Sequence, residues 1–150
     1  MKIYLIFTVT PEQMFAFSRA EKAVGRKPNA LISYYDFGNR TTLRIPKTAA
    51  AIIDSADTIF VDSGAFTFRN AKPTDHWTID DYDDYVRRYI GFLQFAATQG
   101  MAHYWVELDI GFVAGEAWLR DQRKRIIDAG LGGGLVNVWH SIEHDWDYWL

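Results

Sequence analysis

Apolar residues fall along this chain in short blocks of strand length, separated by stretches where they recur at helical spacing. Ile3 to Val9 is one such block. Thr10-Pro11-Glu12-Gln13 then supplies an N-cap, a proline at the first helical position and a capping-box glutamine. Met14, Phe15, Phe17, Ala20 and Val24 form the buried stripe of the helix that follows, and Gly25 stops it. Ala30 to Tyr35 reads as a second strand, closed by Asp36-Phe37-Gly38-Asn39. Pro46 to Ala56 reads as a shorter helix, with Ala50, Ile53 and Ala56 on one side. Thr58 to Val61, β-branched or aromatic without alternation, predicts a third strand covered on both faces.

Beyond Phe66 the pattern predicts a polar loop, Arg69 to Trp77, longer than a simple connection needs. Thr78 is placed to cap a helix whose first turns carry Asp80, Asp81, Asp83 and Asp84 at the positive end of the helix dipole. That helix runs through Tyr85, Tyr89, Phe92, Leu93 and Ala96 to Gly100, a stripe that reads as core packing. Tyr104 to Leu108 is a fourth strand, Glu116 to Ala129 a fourth helix with its exit at Gly130, and Leu135 to Trp139 a fifth strand ending at His140-Ser141. Ile142 to Leu150 begins a fifth helix, whose Trp146, Trp149 and Leu150 further chain or a partner should cover.

Strand and helix alternate four times and begin a fifth, so the class is α/β, with parallel strands joined by crossover helices. Two architectures fit: an open doubly wound sheet, or the first half of an eight-stranded TIM (β/α)8 barrel. Periodicity does not separate them. No linker interrupts the pattern, so residues 1–150 form a single domain of β/α units.

Composition narrows the partners. The 150 residues are 49% hydrophobic and 16% aromatic, enough for one packed core. A net charge of −3 supplies no basic field for non-specific nucleic-acid binding, so such a partner needs a local patch. The chain has no cysteine, which excludes disulfides, thiolate zinc sites and a cysteine nucleophile and suits a reducing, cytoplasmic setting. The first apolar run is far shorter than the roughly 20 residues of a membrane span.

Chemistry collects at the carboxyl ends of the strands, the edge where parallel α/β folds bind ligands. Asp36 follows strand two, Asp62 and Ser63 follow strand three, Glu107 and Asp109 lie at the end of strand four, and His140 follows strand five. The stretch Phe60-Val61-Asp62-Ser63-Gly64-Ala65-Phe66 sets a carboxylate, a hinge and an aromatic ring side by side, as at the rim of a pocket. Asp62 can equally make an Asx turn, and Glu107 can pair with a neighbouring cation. His76, His103 and His144 show no ligand-like spacing with His140, so no metal is assigned. The run Arg120, Arg123, Lys124, Arg125 reads first as a solvated helix face and second as a weak phosphate contact. Gly132-Gly133-Gly134 precedes a strand, so it is no dinucleotide loop, and no Gly-x-Ser-x-Gly elbow surrounds Ser63.

Val61-Asp62-Ser63-Gly64-Ala65-Phe66 resembles the Asp-Ser-Gly-Gly-Phe signature of tRNA-guanine transglycosylases, and more closely its Asp-Ser-Gly-Ala-Phe form in phage and bacterial relatives that insert 7-deazaguanine bases into DNA. Leu108-Asp109 and Val138-Trp139-His140 follow in the order that family would place them. The resemblance implies a β/α barrel that exchanges guanine for a 7-deazaguanine base in a polynucleotide, DNA rather than tRNA, with no cofactor. By position it makes Asp62 the acid/base group and Asp109 the acceptor for the purine's amidine edge, with Phe66 stacked on the ring. Ser63, Gly64 and His140 complete the pocket. The family's nucleophilic aspartate and the zinc site of its tRNA enzymes would fall beyond Leu150. Catalysis then requires further strands, from a second polypeptide or by self-association. A purine-binding half-barrel without chemistry, or an inactive fragment, are the alternatives.

Overall fold

The computed structural model describes residues 4–7, 16, 19, 21–23, 25–27, 29–38, 47–70 and 77–138. Its frame is a parallel sheet of β1 (Tyr4–Phe7), β2 (Asn29–Ser33), β3 (Ile59–Asp62), β4 (Tyr104–Val106) and the two-residue β5 (Leu135–Val136), in that spatial order. Residues 21–23 are helical, and the Gly25 amide donates to the Glu21 carbonyl at 2.9 Å where that helix ends. Between the strands lie α1 (Tyr35–Gly38), α2 (Lys47–Ser55), α3 (Ala65–Asn70), α4 (Ile79–Thr98), α5 (Gly111–Ala114) and α6 (Glu116–Ile126). The register pairs Leu31 with Phe60, Ser33 with Asp62, Phe60 with Tyr104 and Val61 with Trp105. Each strand lies beside its neighbour in sequence, so the order never reverses as it does at the switch point of a doubly wound sheet.

Side chains alternate across the strands, and the two faces differ. Ala30, Ile32, Ile59 and Val61 are buried, whereas Leu31, Phe60 and Val106 are half-buried and Tyr104 keeps 38% of its surface exposed. The unbroken apolar run of β3 therefore has one fully covered face, not two. The covered face meets α4, the longest helix, which begins with the expected capping box. Thr78 accepts from the Asp81 amide, and the Asp81 carboxylate accepts the Thr78 amide at 2.7 Å. Rings from α4 fill the core against Tyr34, whose centroid lies 5.3 Å from Tyr85, 4.9 Å from Tyr89 and 5.2 Å from Phe92.

Several boundaries differ from the sequence pattern. The second strand ends at Ser33, because the chain turns at Tyr34 into the single helical turn of α1. Two short helices, α3 and α5, stand directly after β3 and β4 where the pattern showed no periodicity. The helix expected to end at Ala129 with its exit at Gly130 does so: Ile127 keeps α geometry with its amide on the Arg123 carbonyl, the positive φ of Gly130 (+81°) breaks the helix, and a tight turn follows at Gly132–Gly134. A methyl on Gly134 would lie 2.5 Å from the Trp105 indole, which accounts for a glycine there. The remainder of the predicted fifth strand at 139 and the predicted fifth helix lie outside the described residues.

Candidate functional site

Asp62 is the last residue of β3, half-buried, and one of its carboxylate oxygens accepts the Gly64 amide at 3.2 Å. The chain thus makes the Asx-type turn that an aspartate followed by a small residue favours. Gly64 has φ +87°, and a Cβ built on it would stand 2.5 Å from the Cβ of Tyr35 and 3.2 Å from the Tyr85 hydroxyl. The turn is therefore pressed against the end of β2, where the Tyr34 amide donates to the Asp62 carbonyl at 2.8 Å. Asp36, in the first turn of α1, is exposed and follows this contact by one residue.

Tyrosines of α4 hold the strand ends from beneath. The Tyr85 hydroxyl donates to the Ser63 carbonyl at 2.7 Å, and the Tyr89 hydroxyl lies 2.9 Å from the Val106 carbonyl and 3.4 Å from that of Val61. Burial pushes both hydroxyls well above the ordinary tyrosine range, and the nearby Asp62 adds to the shift, so both stay protonated donors. Burial also raises Asp62, against the lowering effect of the Gly64 and Ser63 amides. Asp36, although exposed, is raised as well, by partial loss of water around its carboxyl first and by the charge of Asp62 second.

The sign of the Asp62 shift gives a stability prediction. A carboxyl raised on folding contributes stability that is present below the unfolded value and lost as pH rises through the folded one. Asp62→Asn removes that loss and keeps an acceptor for Gly64. The stability difference between Asp62→Asn and wild type should accordingly grow in the variant's favour as pH rises from the acid side to neutrality. Urea denaturation at a series of pH values checks this, and a constant difference would contradict it.

Ser63 is fully buried, and its hydroxyl donates to the Glu107 carbonyl at 2.8 Å, so it braces β3 against β4. Glu107 itself is a junction. Its carboxylate accepts Arg123 Nε at 2.6 Å and Arg123 Nη2 at 2.8 Å, both buried, and the partly buried Val138 amide at 2.7 Å. Pairing of Glu107 with a cation is thus met by an arginine of the run read as solvated. The rest of that run stays at the surface, where Arg120 pairs with Glu116 and Lys124 with Asp128 along the helix, while Arg125 reaches the partly buried Asp83 at 2.7 Å. Its second reading, contact with phosphates, finds these four cations already facing carboxylates.

Asp109 is half-buried at the centre of a three-residue turn closed by the Ile110 amide on the Leu108 carbonyl at 2.9 Å. The Gln122 side chain brackets Leu108, its Oε1 accepting the Leu108 amide at 2.8 Å and its Nε2 donating to the Leu108 carbonyl at 3.2 Å, which fixes the approach to that turn. Asp62 and Asp109 therefore leave the sheet at the same edge, on adjacent strands. Phe66 stands in the first turn of α3 with 77% of its surface exposed, and Phe112 in α5 with 60%. Position thus unites Asp36, Asp62, Gly64, Phe66 and Asp109 at one rim and puts Ser63 beneath it.

His140 lies outside the described residues, as do His76 and His144. The His103 side chain accepts the Ile59 amide through Nδ1 at 3.1 Å, at the opposite end of β3. Among the described residues no group of three or more His, Cys, Asp or Glu could hold a metal, and no helix is long and apolar enough to cross a membrane. Asp36, a strand-end candidate from the sequence, follows the strand end that adjoins Asp62, whereas Tyr85, whose stripe reads as core packing, is the residue at the rim that spacing alone did not connect to it. No protein-family model, curated protein or solved structure matches the chain.

Proposed function

We propose that this chain is the amino-terminal half of a (β/α)8 barrel of the tRNA-guanine transglycosylase kind, and that its carboxyl rim receives a purine for exchange of guanine against a 7-deazaguanine base in a polynucleotide. The observation that carries the reading is the unreversed parallel order of five strands, with Asp62 and Asp109 leaving neighbouring strand ends beside the exposed ring of Phe66. A flat heterocycle with adjacent N–H donors calls for a carboxylate acceptor and an aromatic surface. The half-covered face of Leu31, Phe60, Tyr104 and Val106 fits a barrel interior that further strands close, whether from the same polypeptide or another. The nucleophile that would hold the sugar belongs to those strands. DNA is preferred over tRNA as the polynucleotide because Ala65 stands in the signature where tRNA enzymes carry a second glycine.

Titration calorimetry with 7-deazaguanine and guanine, and adenine as the control, tests the pocket. Asp109→Ala should weaken binding of the two guanine-type bases by at least about 10-fold, the scale of a lost charge-assisted hydrogen bond. Asp62→Asn should spare binding and abolish incorporation of labelled guanine into DNA by the closed barrel. Unchanged affinity in Asp109→Ala dismisses the pocket. Binding without incorporation by any assembly of the wild-type chain would make this a purine-binding domain.

A further inference from the structure

We propose that Glu107 and Arg123 are positioning residues of the rim: as a buried pair they set where the chain leaves β5, and so place the wall of the site beside Asp109. The purine reading gives that wall its use, whereas its placement is tested without a ligand. The ladder between β4 and β5 pairs Trp105 with Leu135 and Val106 with Val136. Continued in that register, it would set Glu107 opposite Asn137 and carry the Val138 amide to the Glu107 carbonyl, as parallel ladders do. Half of that step is present, since the Glu107 amide donates to the Val136 carbonyl at 3.3 Å. The other half is replaced. The Glu107 carbonyl accepts the Ser63 hydroxyl at 2.8 Å, and the Val138 amide donates instead to the Glu107 side chain, at Oε1 and 2.7 Å. The ladder ends there, and a carboxylate takes the next place between the two chains.

A carboxylate in that place needs a cation. Glu107 is fully buried, and the buried Arg123 meets it with a two-pronged contact, Nε on Oε2 at 2.6 Å and Nη2 on Oε1 at 2.8 Å. The fork fixes both oxygens, so Oε1 reaches Val138 in one orientation. Burying two charges is a poor route to stability, because apolar side chains of similar size often do as well; what such a pair can supply is a specified arrangement. Here the arrangement ties together three strand ends, Ser63 after β3, Glu107 after β4 and Val138 after β5. Gln122 holds both polar backbone atoms of Leu108 independently of the pair. Loss of the pair therefore shifts the chain at 137–138 relative to Asp109 and leaves the Asp109 turn where it is.

Two double variants separate the acceptor from the charges. Glu107→Met with Arg123→Leu removes both, and Glu107→Gln with Arg123→Met restores an acceptor for Val138 without a buried charge. In amide hydrogen exchange read by NMR, Val138 should exchange about 10-fold or more faster in the first variant, relative to the amides of β4, and return to within about 3-fold of wild type in the second. The resonances of residues 137 and 138 should move in the first variant while those of Asp109 and Ile110 stay. Titration of guanine into the same proteins reads the use of the wall: affinity should fall about 10-fold in the first variant and recover in the second, following the acceptor and not the melting temperature. A Val138 amide that exchanges freely in wild type, or whose protection survives the loss of Glu107, overturns the positioning role. So does a guanine affinity unchanged in the first variant when wild type binds the base. A wild-type chain that binds no guanine while Val138 answers as expected dismisses the purine and keeps the positioning pair.

Discussion

Glu107→Ala should cost about 3–5 kcal/mol, enough to leave the domain largely unfolded near physiological temperature. The substitution strands the Arg123 guanidinium inside the protein and removes the acceptor of the Val138 amide. Removing one partner of a buried ion pair is far more damaging than removing both, because the survivor is a desolvated charge. The double variant Glu107→Met, Arg123→Leu should therefore recover most of the loss, with the unpaired Val138 amide as the remaining cost of about 1–3 kcal/mol. Thermal melts make the contrast plain: about 10 °C or more below wild type for the single variant and a much smaller drop for the double. A single variant that melts beside wild type would mean that water reaches the pair.

The second large effect belongs to Gly64→Ala. A methyl there meets the Tyr35 Cβ at 2.5 Å, in a backbone conformation, φ +87°, that side chains resist. Tyr35 cannot swing aside at its Cβ without moving the end of β2, so overpacking and strain add to about 2–5 kcal/mol. Gly130→Ala supplies the control: its φ is +81°, but nothing lies within 4 Å of the added carbon, and it should cost only about 1 kcal/mol. Denaturant midpoints of the two variants separate crowding from backbone strain. Equal losses would mean that the Tyr35 contact relaxes freely.

The strands and long helices were legible because each carries its own periodicity. Tyr85, Tyr89, Phe92 and Ala96 announce the buried side of α4, and the core contains all four. The short helices α3 and α5 were not, since four to six residues complete too few turns for a stripe to show. The misreading of Arg123 as part of a solvated face has a more instructive cause. Leu119, Gln122, Arg123 and Ile126 share one helical stripe, so Gln122 and Arg123 occupied buried positions that charge alone argued against. Only the fold supplies what makes them tolerable there, a backbone turn at Leu108 and a carboxylate at Glu107. Asp36 and Asp62, twenty-six positions apart, were legible as residues of one sheet edge, and the register adds that their strands are adjacent.

The tyrosine hydroxyls of α4 anchor the carbonyls of Ser63 and Val106 from below, so the floor of the rim is bolted to the longest helix of the fold. The pieces above it, α3 with Phe66 and α5 with Phe112, are each about one turn long and display their rings outward. Such a division leaves Phe66 and Phe112 open to substitution, whereas Phe68, two residues on in α3, is buried edge-on against Tyr85 at 4.8 Å and belongs to the foundation. A lineage could thus exchange the outward rings of this edge without renegotiating how the domain folds.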